Sequence, residues 1–481
     1  MTTASPALAD RFIETISYLL GEKGFARDPD TVDPWLTDWR GRYTGRAIGL
    51  ASPKTTQEVA DLMRLCNEHS VPIVPQGGNS GMAGGATPDE SGNCLVLSLR
   101  RMNAIRSLDA EARQVVCEAG VILQTLHEAA DDHDLRFPLI LGGKGSATIG
   151  GLISTNAGGT QVLRYGTMSA QVLGIEAVLA DGQIFDGLTA LKKDNRGFDL
   201  KQLLIGSEGT LGVVTAATLR LVPAPRARAT AWIGLARLLD ARALLHRVDR
   251  ALGDELEGFE IVPDHCLDSV LALLPDARSP LADRHAWNAL IECTSPSGDA
   301  QELREKLETV LGEALEVGLI ADAALASNDA QAEQFWTLRD SISAAERALG
   351  PAMQHDISVP VERMPEFILA AIPAIENEFP GTKGAAFGHL GDGNVHFHVL
   401  APTNAVRGEW EEHEGKQVST RVHDLVTQWG GSISAEHGIG QMKVDELGRL
   451  GDPTALFMMR SVKKALDPKG LLNPGKLVPE L

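Results

Sequence analysis

Three histidines crowd into ten residues of a 481-residue chain that has thirteen in all, within Gly388-His389-Leu390-Gly391-Asp392-Gly393-Asn394-Val395-His396-Phe397-His398-Val399-Leu400. Val395, Phe397 and Val399 alternate with His396 and His398, which is the period of a strand. Asp392-Gly393 is a two-residue hairpin signal. With those two residues as the turn, His389 pairs across the strands with His396 on one face, their Cβ atoms roughly 5 Å apart. Two facing imidazoles suit a metal ion; the same spacing suits a half-buried hairpin with its polar residues outward. A second chemical pair stands at Ala435-Glu436-His437-Gly438. Alone, it reads as a polar turn.

The elements that must position these groups are rich in glycine. The short strand Val71–Pro75 runs into Gln76-Gly77-Gly78-Asn79-Ser80-Gly81-Met82-Ala83-Gly84-Gly85, and the strand Cys94–Leu99 follows. Without Cβ atoms, backbone N–H groups can crowd around an anion. A second block runs from Pro138 through Gly142, Ser146, Thr148, Gly150 and Gly151 to Thr155, Asn156, Gly158 and Gly159; a third is Ile205-Gly206-Ser207-Glu208-Gly209-Thr210-Leu211-Gly212-Val213-Val214. None matches a Walker A loop or a GxGxxG fingerprint. One such loop alone is a surface connection as readily as a site. Three of them, each joined to apolar strands, read as one long cofactor laid across backbone amides, and a dinucleotide has that size.

Composition narrows the partners. The net charge is −20 and hydrophobic residues make up 43%, so the length and core suggest two or three globular domains. That charge argues against nucleic acid or an anionic membrane as partner, while leaving room for a small anionic substrate in a local cationic pocket. Cys66, Cys94, Cys117, Cys266 and Cys293 are scattered with no CxxC, which reads as reduced, intracellular thiols. The start, Met1-Thr-Thr-Ala-Ser-Pro, has no basic-then-apolar leader pattern, and no apolar run is long enough for a membrane span. The expected location is cytoplasmic.

Along the chain, residues 7–24 read as an amphipathic helix. Thr55-Thr56-Gln57-Glu58 opens a helix to His69, and Val172–Leu179 is a strand. Composition shifts near 223–228 to Ala-, Leu-, Glu- and Arg-rich helices between short strands such as Ala286–Glu292. A helix from 331 places Arg339 and Ser343 four apart on one face. A strand at Met353–Pro360, a helix over 363–378, the hairpin, a helix over 409–428 and one ending before Asp467 complete the series.

Together, Pro75-Gln-Gly-Gly-Asn-Ser-Gly81, Gly150-Gly151…Asn156…Gly158-Gly159 and Gly206-Ser-Glu-Gly-Thr-Leu-Gly212 resemble the FAD-binding half of the vanillyl-alcohol oxidase / p-cresol methylhydroxylase family. The hairpin, the Glu436-His437 turn and Asn473-Pro474-Gly475-Lys476 resemble its D-2-hydroxyacid dehydrogenase branch, which handles D-2-hydroxyglutarate and D-lactate. The resemblance spans roughly residues 30–480. It implies an α+β fold: a two-part FAD domain (1–223), an inserted antiparallel-sheet substrate or cap domain carrying the metal site (224–440), and a segment (441–481) returning to the FAD domain.

The resemblance also assigns roles. FAD is expected against Pro75, Gln76, Gly77, Gly78, Asn79, Ser80, Gly81, Gly84, Pro138, Gly142, Ser146, Thr148, Gly150, Gly151, Thr155, Asn156, Gly158, Gly159, Glu208, Gly209, Val213 and Asn473. Asn79 stands where some relatives carry the histidine that binds flavin covalently, so non-covalent FAD is expected. His389, His396 and Glu436 are the implied ligands of a divalent metal, zinc first and manganese, cobalt or iron next, and His437 is the implied base. Arg339, Ser343, Gln354 and His398 are implied substrate contacts. Gln354 replaces the lysine and His398 the asparagine of the hydroxyglutarate pattern, which leaves the particular D-2-hydroxy acid open. An electron-transfer flavoprotein or quinone as acceptor and a homodimer are family-level expectations. A peroxide-forming glycolate-type oxidase, a non-redox flavoenzyme and a flavin-binding subunit stay open as alternatives.

Overall fold

The computed structural model describes residues 6–480, so the N-terminal residues behind the leader reading lie partly outside the described range. The chain divides into two compact units. The first takes the residues up to Gly159, Gly166–Pro223 and Glu436 onward; the second takes Thr160–Tyr165 and Ala224–Ala435.

The first unit holds two main sheets and a two-stranded ribbon that pairs Leu135–Arg136 with Val222–Pro223. One runs, in spatial order, Phe25–Ala26, Gly49–Ala51, Leu95–Ser98, Ile73–Gln76, with the last three strands parallel. Leu95, Val96 and Leu97 are all fully buried, as parallel strands covered on both faces must be. The helix Thr56–His69 covers this sheet through Val59, Leu62 and Met63. Its start is capped: the Thr55 hydroxyl accepts from Glu58 N–H at 3.1 Å, and the Glu58 carboxylate accepts from Lys54 N–H at 2.8 Å. The first bond is the one a Thr N-cap supplies; the second reaches past the cap to Lys54 instead of to the Thr55 N–H that a capping box would use. The second sheet is antiparallel, in the order Ile105–Asp109, Gln114–Glu118, Val213–Arg220, Val172–Val178, Ile184–Gly187. The C-terminal tail returns to the first sheet, where Ile73 and Leu472 form a bridge and Asn473 N–H donates to Ile73 O at 2.8 Å.

The second unit is built on one seven-stranded antiparallel sheet. Its spatial order is Asp322–Leu325, Ala227–Leu235, Trp287–Ser295, Leu256–Pro263, Lys383–His389, Asn394–Leu400, Ala352–Ser358. Helices Leu238–Leu252, Ala300–Glu316, Met364–Glu378 and Glu414–Gln428 bury Ile261, Ile291, Val395, Phe397 and Val399 on one face. Helices Asp264–Leu273, Asp329–Asp340 and Ile342–Leu349 cover Trp232, Leu290, Ala385 and Phe387 on the other.

Three local expectations change. The hairpin turn is the four-residue connection Leu390–Gly393, so His389 pairs with Asn394 and His396 with Phe387. Leu390 is fully buried in the core, and turning it inward takes Leu390 and Gly391 out of the strand. The register moves by two, which keeps His389 and His396 on one face as diagonal neighbours, whereas a shift of one would have separated them. The helix expected to carry both Arg339 and Ser343 breaks at Ser341 (φ −79°, ψ −8°). That is the bridge region between regular structures, so Arg339 ends one helix and Ser343 lies in the next. The helix expected over 409–428 is likewise two, Glu409–Glu412 and Glu414–Gln428, split at His413 (φ −111°, ψ −89°).

Candidate active site

In the first unit the glycine blocks converge on one cleft, with about 960 Å³ of empty space counted out to open solvent. Its walls include Pro75, Gln76, Gly77, Gly78, Asn79, Ser80 and Gly81 from the first block. Thr148, Gly150, Gly151 and Thr155 come from the second, and Glu208, Gly209 and Val213 from the third. The glycines are demanded by close packing. A Cβ on Gly78 would lie 1.8 Å from the Ser146 carbonyl oxygen, and one on Gly77 2.3 Å from the Thr148 hydroxyl. Two loops held this near each other leave a cradle of backbone amides with apolar walls from Leu99, Ala119 and Val214. That cradle fits a dinucleotide whose phosphates take N–H donors and whose rings take apolar contact.

Eight expected cofactor residues fall outside this lining, and several have visible structural tasks. Ser146 offers the carbonyl packed on Gly78, and Gly159 lies so close to Ile140 that a Cβ would meet its carbonyl oxygen at 2.1 Å. The Asn156 side-chain oxygen Oδ1 accepts from the Thr167 hydroxyl at 3.0 Å and Ser169 N–H at 2.9 Å. Gly84 O accepts from the Gln441 side chain at 2.8 Å. The Asn473 amide donates to Gly85 O at 2.9 Å and Glu208 O at 2.7 Å, latching the returning tail. Pro138, Gly142 and Gly158 also lie off the cleft wall.

His437 lines the cleft. Its turn is held by Glu208, whose carboxylate accepts Ile439 N–H at 2.7 Å and Gly440 N–H at 2.8 Å. Burial pushes the Glu208 carboxyl above its ordinary range, against these two N–H groups and Lys443, which favour the anion. This clamp is why the turn from Glu436 belongs with the cofactor unit, five residues ahead of the boundary expected at 440. Glu436 and His437 thus lie in a different unit from the hairpin.

In the second unit the strand register gathers polar groups on one sheet face. Gln354 pairs with His398, Asp356 with His396, and Glu260 with His389. The His389 and His396 rings meet edge-on with centroids 5.5 Å apart, and His396 and His398 lie 6.5 Å apart. His389 Nδ1 bonds Glu260, whose other oxygen accepts from Arg339 Nε at 2.8 Å. Arg339 Nη2 lies 3.3 Å from His389 Nε2. Arg339 has only protons to offer, so His389 carries its proton on Nδ1 and presents the Nε2 lone pair. Burial alone would raise the Glu260 carboxyl, but Arg339 and His389 outweigh it and hold it at about 2. Burial, with Arg339 and His389 nearby, pushes His396 well below its ordinary value, so it stays a neutral donor. Two facing imidazoles, one oriented by a carboxylate, are donors of the type a divalent cation takes. Among the described residues no group of three His, Cys, Asp or Glu side chains is assembled to hold one. His398 bonds the buried Glu346, which also takes the Cys266 thiol at 3.6 Å. Ser343 and Gln354 are half-buried.

Two family models match the chain. The family model "FAD binding domain" matches residues 47–187, and "FAD linked oxidases, C-terminal domain" matches 224–477. The chain is 38% identical to D-2-hydroxyglutarate dehydrogenase, mitochondrial, of Arabidopsis thaliana, over 99% of this chain and 83% of that protein. The Bos taurus protein of the same name is 38% identical over 94% of this chain and 80% of its own length. The chain belongs to the FAD-linked oxidase family. Within that family it falls in the D-2-hydroxyacid dehydrogenase branch. Substrate-bound p-cresol methylhydroxylase shares the fold, with a TM-score of 0.74 at 15% identity, covering 98% of this chain and 97% of that one.

For this FAD-linked oxidase the cytoplasmic expectation is withdrawn, because relatives matched over nearly the whole chain are described as mitochondrial. Scattered thiols do not separate a mitochondrial from a cytosolic protein, both being reducing. Among the described residues no helix is long and apolar enough to cross a membrane. Sequence reasoning passed over Glu260 and Glu346. Glu260 had a signal: an acid within the strand Leu256–Pro263, whose residues are all buried, needs a buried partner.

Proposed function

We propose that this FAD-linked oxidase converts a D-2-hydroxy acid to its 2-oxo acid, with His437 as the base and a divalent metal, zinc foremost, on His389, His396 and Glu436. The observation that carries the reading is His437 in the wall of the glycine-lined cleft. FAD, when bound there, supplies the acceptor for the C2 hydride. A divalent ion on the two imidazoles and the carboxylate would supply Lewis acidity toward the substrate hydroxyl. Arg339 takes the substrate carboxylate through its guanidinium edge, held in place by Glu260. His437 accepts the hydroxyl proton, a task suited to an imidazole at working pH. Electron-transfer flavoprotein or a quinone would collect the electrons afterward. The test is anaerobic flavin bleaching with D- and L-2-hydroxy acids, before and after chelation. Stereospecific bleaching by the D-acids, slowed by chelation, is expected. Equal rates with and without metal would remove the metal from the reading, and no bleaching by any hydroxy acid would end it.

A further inference from the structure

The segment Thr160–Tyr165 leaves the second glycine block, whose Thr148–Thr155 stretch borders the cofactor cleft, and joins the second unit. It is anchored there by charge. The Gln161 amide donates to Glu257 at 2.6 Å, and Arg164 Nη1 donates to Glu257 at 3.4 Å, Thr294 O at 3.0 Å and the Thr294 hydroxyl at 2.8 Å. Thr294 closes the cluster with its own bond to Glu257. A buried carboxylate satisfied by an amide, a guanidinium and a hydroxyl makes a stiff fixture. Between the two anchors, in the helical turn Val162–Tyr165, Leu163 reaches the histidine hairpin. A Cβ on Gly391 would lie 2.7 Å from Leu163 Cδ2 and 3.1 Å from Cδ1. Gly391 sits in the connection between His389 and His396, and Leu163 packs against the same core that buries Leu390.

We infer that Thr160–Tyr165 is a positioning strap in which Leu163, bearing on Gly391, sets the turn geometry and hence the spacing of His389 and His396. The strands fix which face the two histidines occupy. The turn fixes how far the His389 end stands from its diagonal neighbour, and Leu163 is the side chain that closes against it. The inference rests on the reading that these histidines hold a metal. Hydrogen-bonding outer-shell partners of metal ligands are worth about 10- to 100-fold in metal affinity; Leu163 acts one step further out, through the turn, and its effect belongs at or below the lower end.

The test titrates cobalt(II) into metal-stripped, FAD-loaded wild type, Gly391→Ala, Leu163→Ala, the double variant and His389→Ala. Flavin content and melting temperature are followed in parallel. Gly391→Ala is expected to weaken cobalt binding about tenfold, Leu163→Ala to weaken it less, and both to keep full flavin. The double variant regains most of the loss, because removing the Leu163 δ-carbons makes room for the new methyl; such non-additivity marks a direct contact. Singles that match wild type, or a double variant no better than Gly391→Ala, overturn the strap. Cobalt binding equally tight in wild type and His389→Ala overturns the metal reading instead, and the strap is then judged by the same rescue pattern in kcat/KM for the hydroxy acid.

Discussion

The glycine-lined cleft and the histidine-bearing sheet face follow opposite plans. The cleft is shaped by glycine-rich loops, and two of them approach so closely that a single methyl at Gly78 or Gly77 has no room. The sheet face is made of side chains, with His389, His396, His398, Glu260 and Arg339 gathered by strand register and neutralised by one another. A site shaped by glycine loops is specified locally and fails by steric exclusion. A side-chain site is specified by pairing between distant segments and fails by leaving charges unmatched.

The contrast can be broken most forcefully at Gly78. Gly78→Val should yield protein without flavin, or none in soluble form, read directly from flavin absorbance. A yellow, active Gly78→Val enzyme would show that the loops have slack that the close approach denies. His437→Ala should keep FAD, since the imidazole adds only one side chain to a cleft shaped by glycine-rich loops. Its kcat is expected to fall by about 10²–10⁴; a smaller fall would move the base elsewhere.

On the sheet face, Glu260→Gln should weaken metal binding by about 10- to 100-fold and lower kcat with flavin content unchanged. It also carries a pH signature. The Glu260 carboxyl is held at about 2 against an ordinary 4.5, so its stabilising effect is complete above 4.5 and disappears as pH falls toward 2. Thermal melting of wild type and Glu260→Gln should therefore differ at neutral pH and converge through that window. A constant gap at all pH values would mean that the substitution acts through packing. The smallest effect is at the thiols. All five cysteines are buried, and burial pushes Cys66 and Cys117 up to about 12 and Cys94 to about 11. Thiolate is the reactive form, so native enzyme should resist iodoacetamide without loss of activity, and rapid alkylation would mean that the core opens.

From the sequence, the glycine blocks pointed to a dinucleotide-sized cofactor, because glycine requirements are local, and the fold family followed from the resemblance that those motifs carry. The capped helix at Thr55–Glu58, the strand pairs around the glycine blocks and the shared face of His389 and His396 were also legible. Tertiary structure alone decided the rest. The burial of Leu390 set the hairpin register, the break at Ser341 separated Arg339 from Ser343, and Glu208 drew the Glu436–Gly440 turn into the cofactor unit. Glu260 became a partner of His389 through pairing between strands 129 residues apart. Such partners leave no periodic trace, since a buried carboxylate is tolerated only when a distant chain segment supplies its cation and its hydrogen bonds.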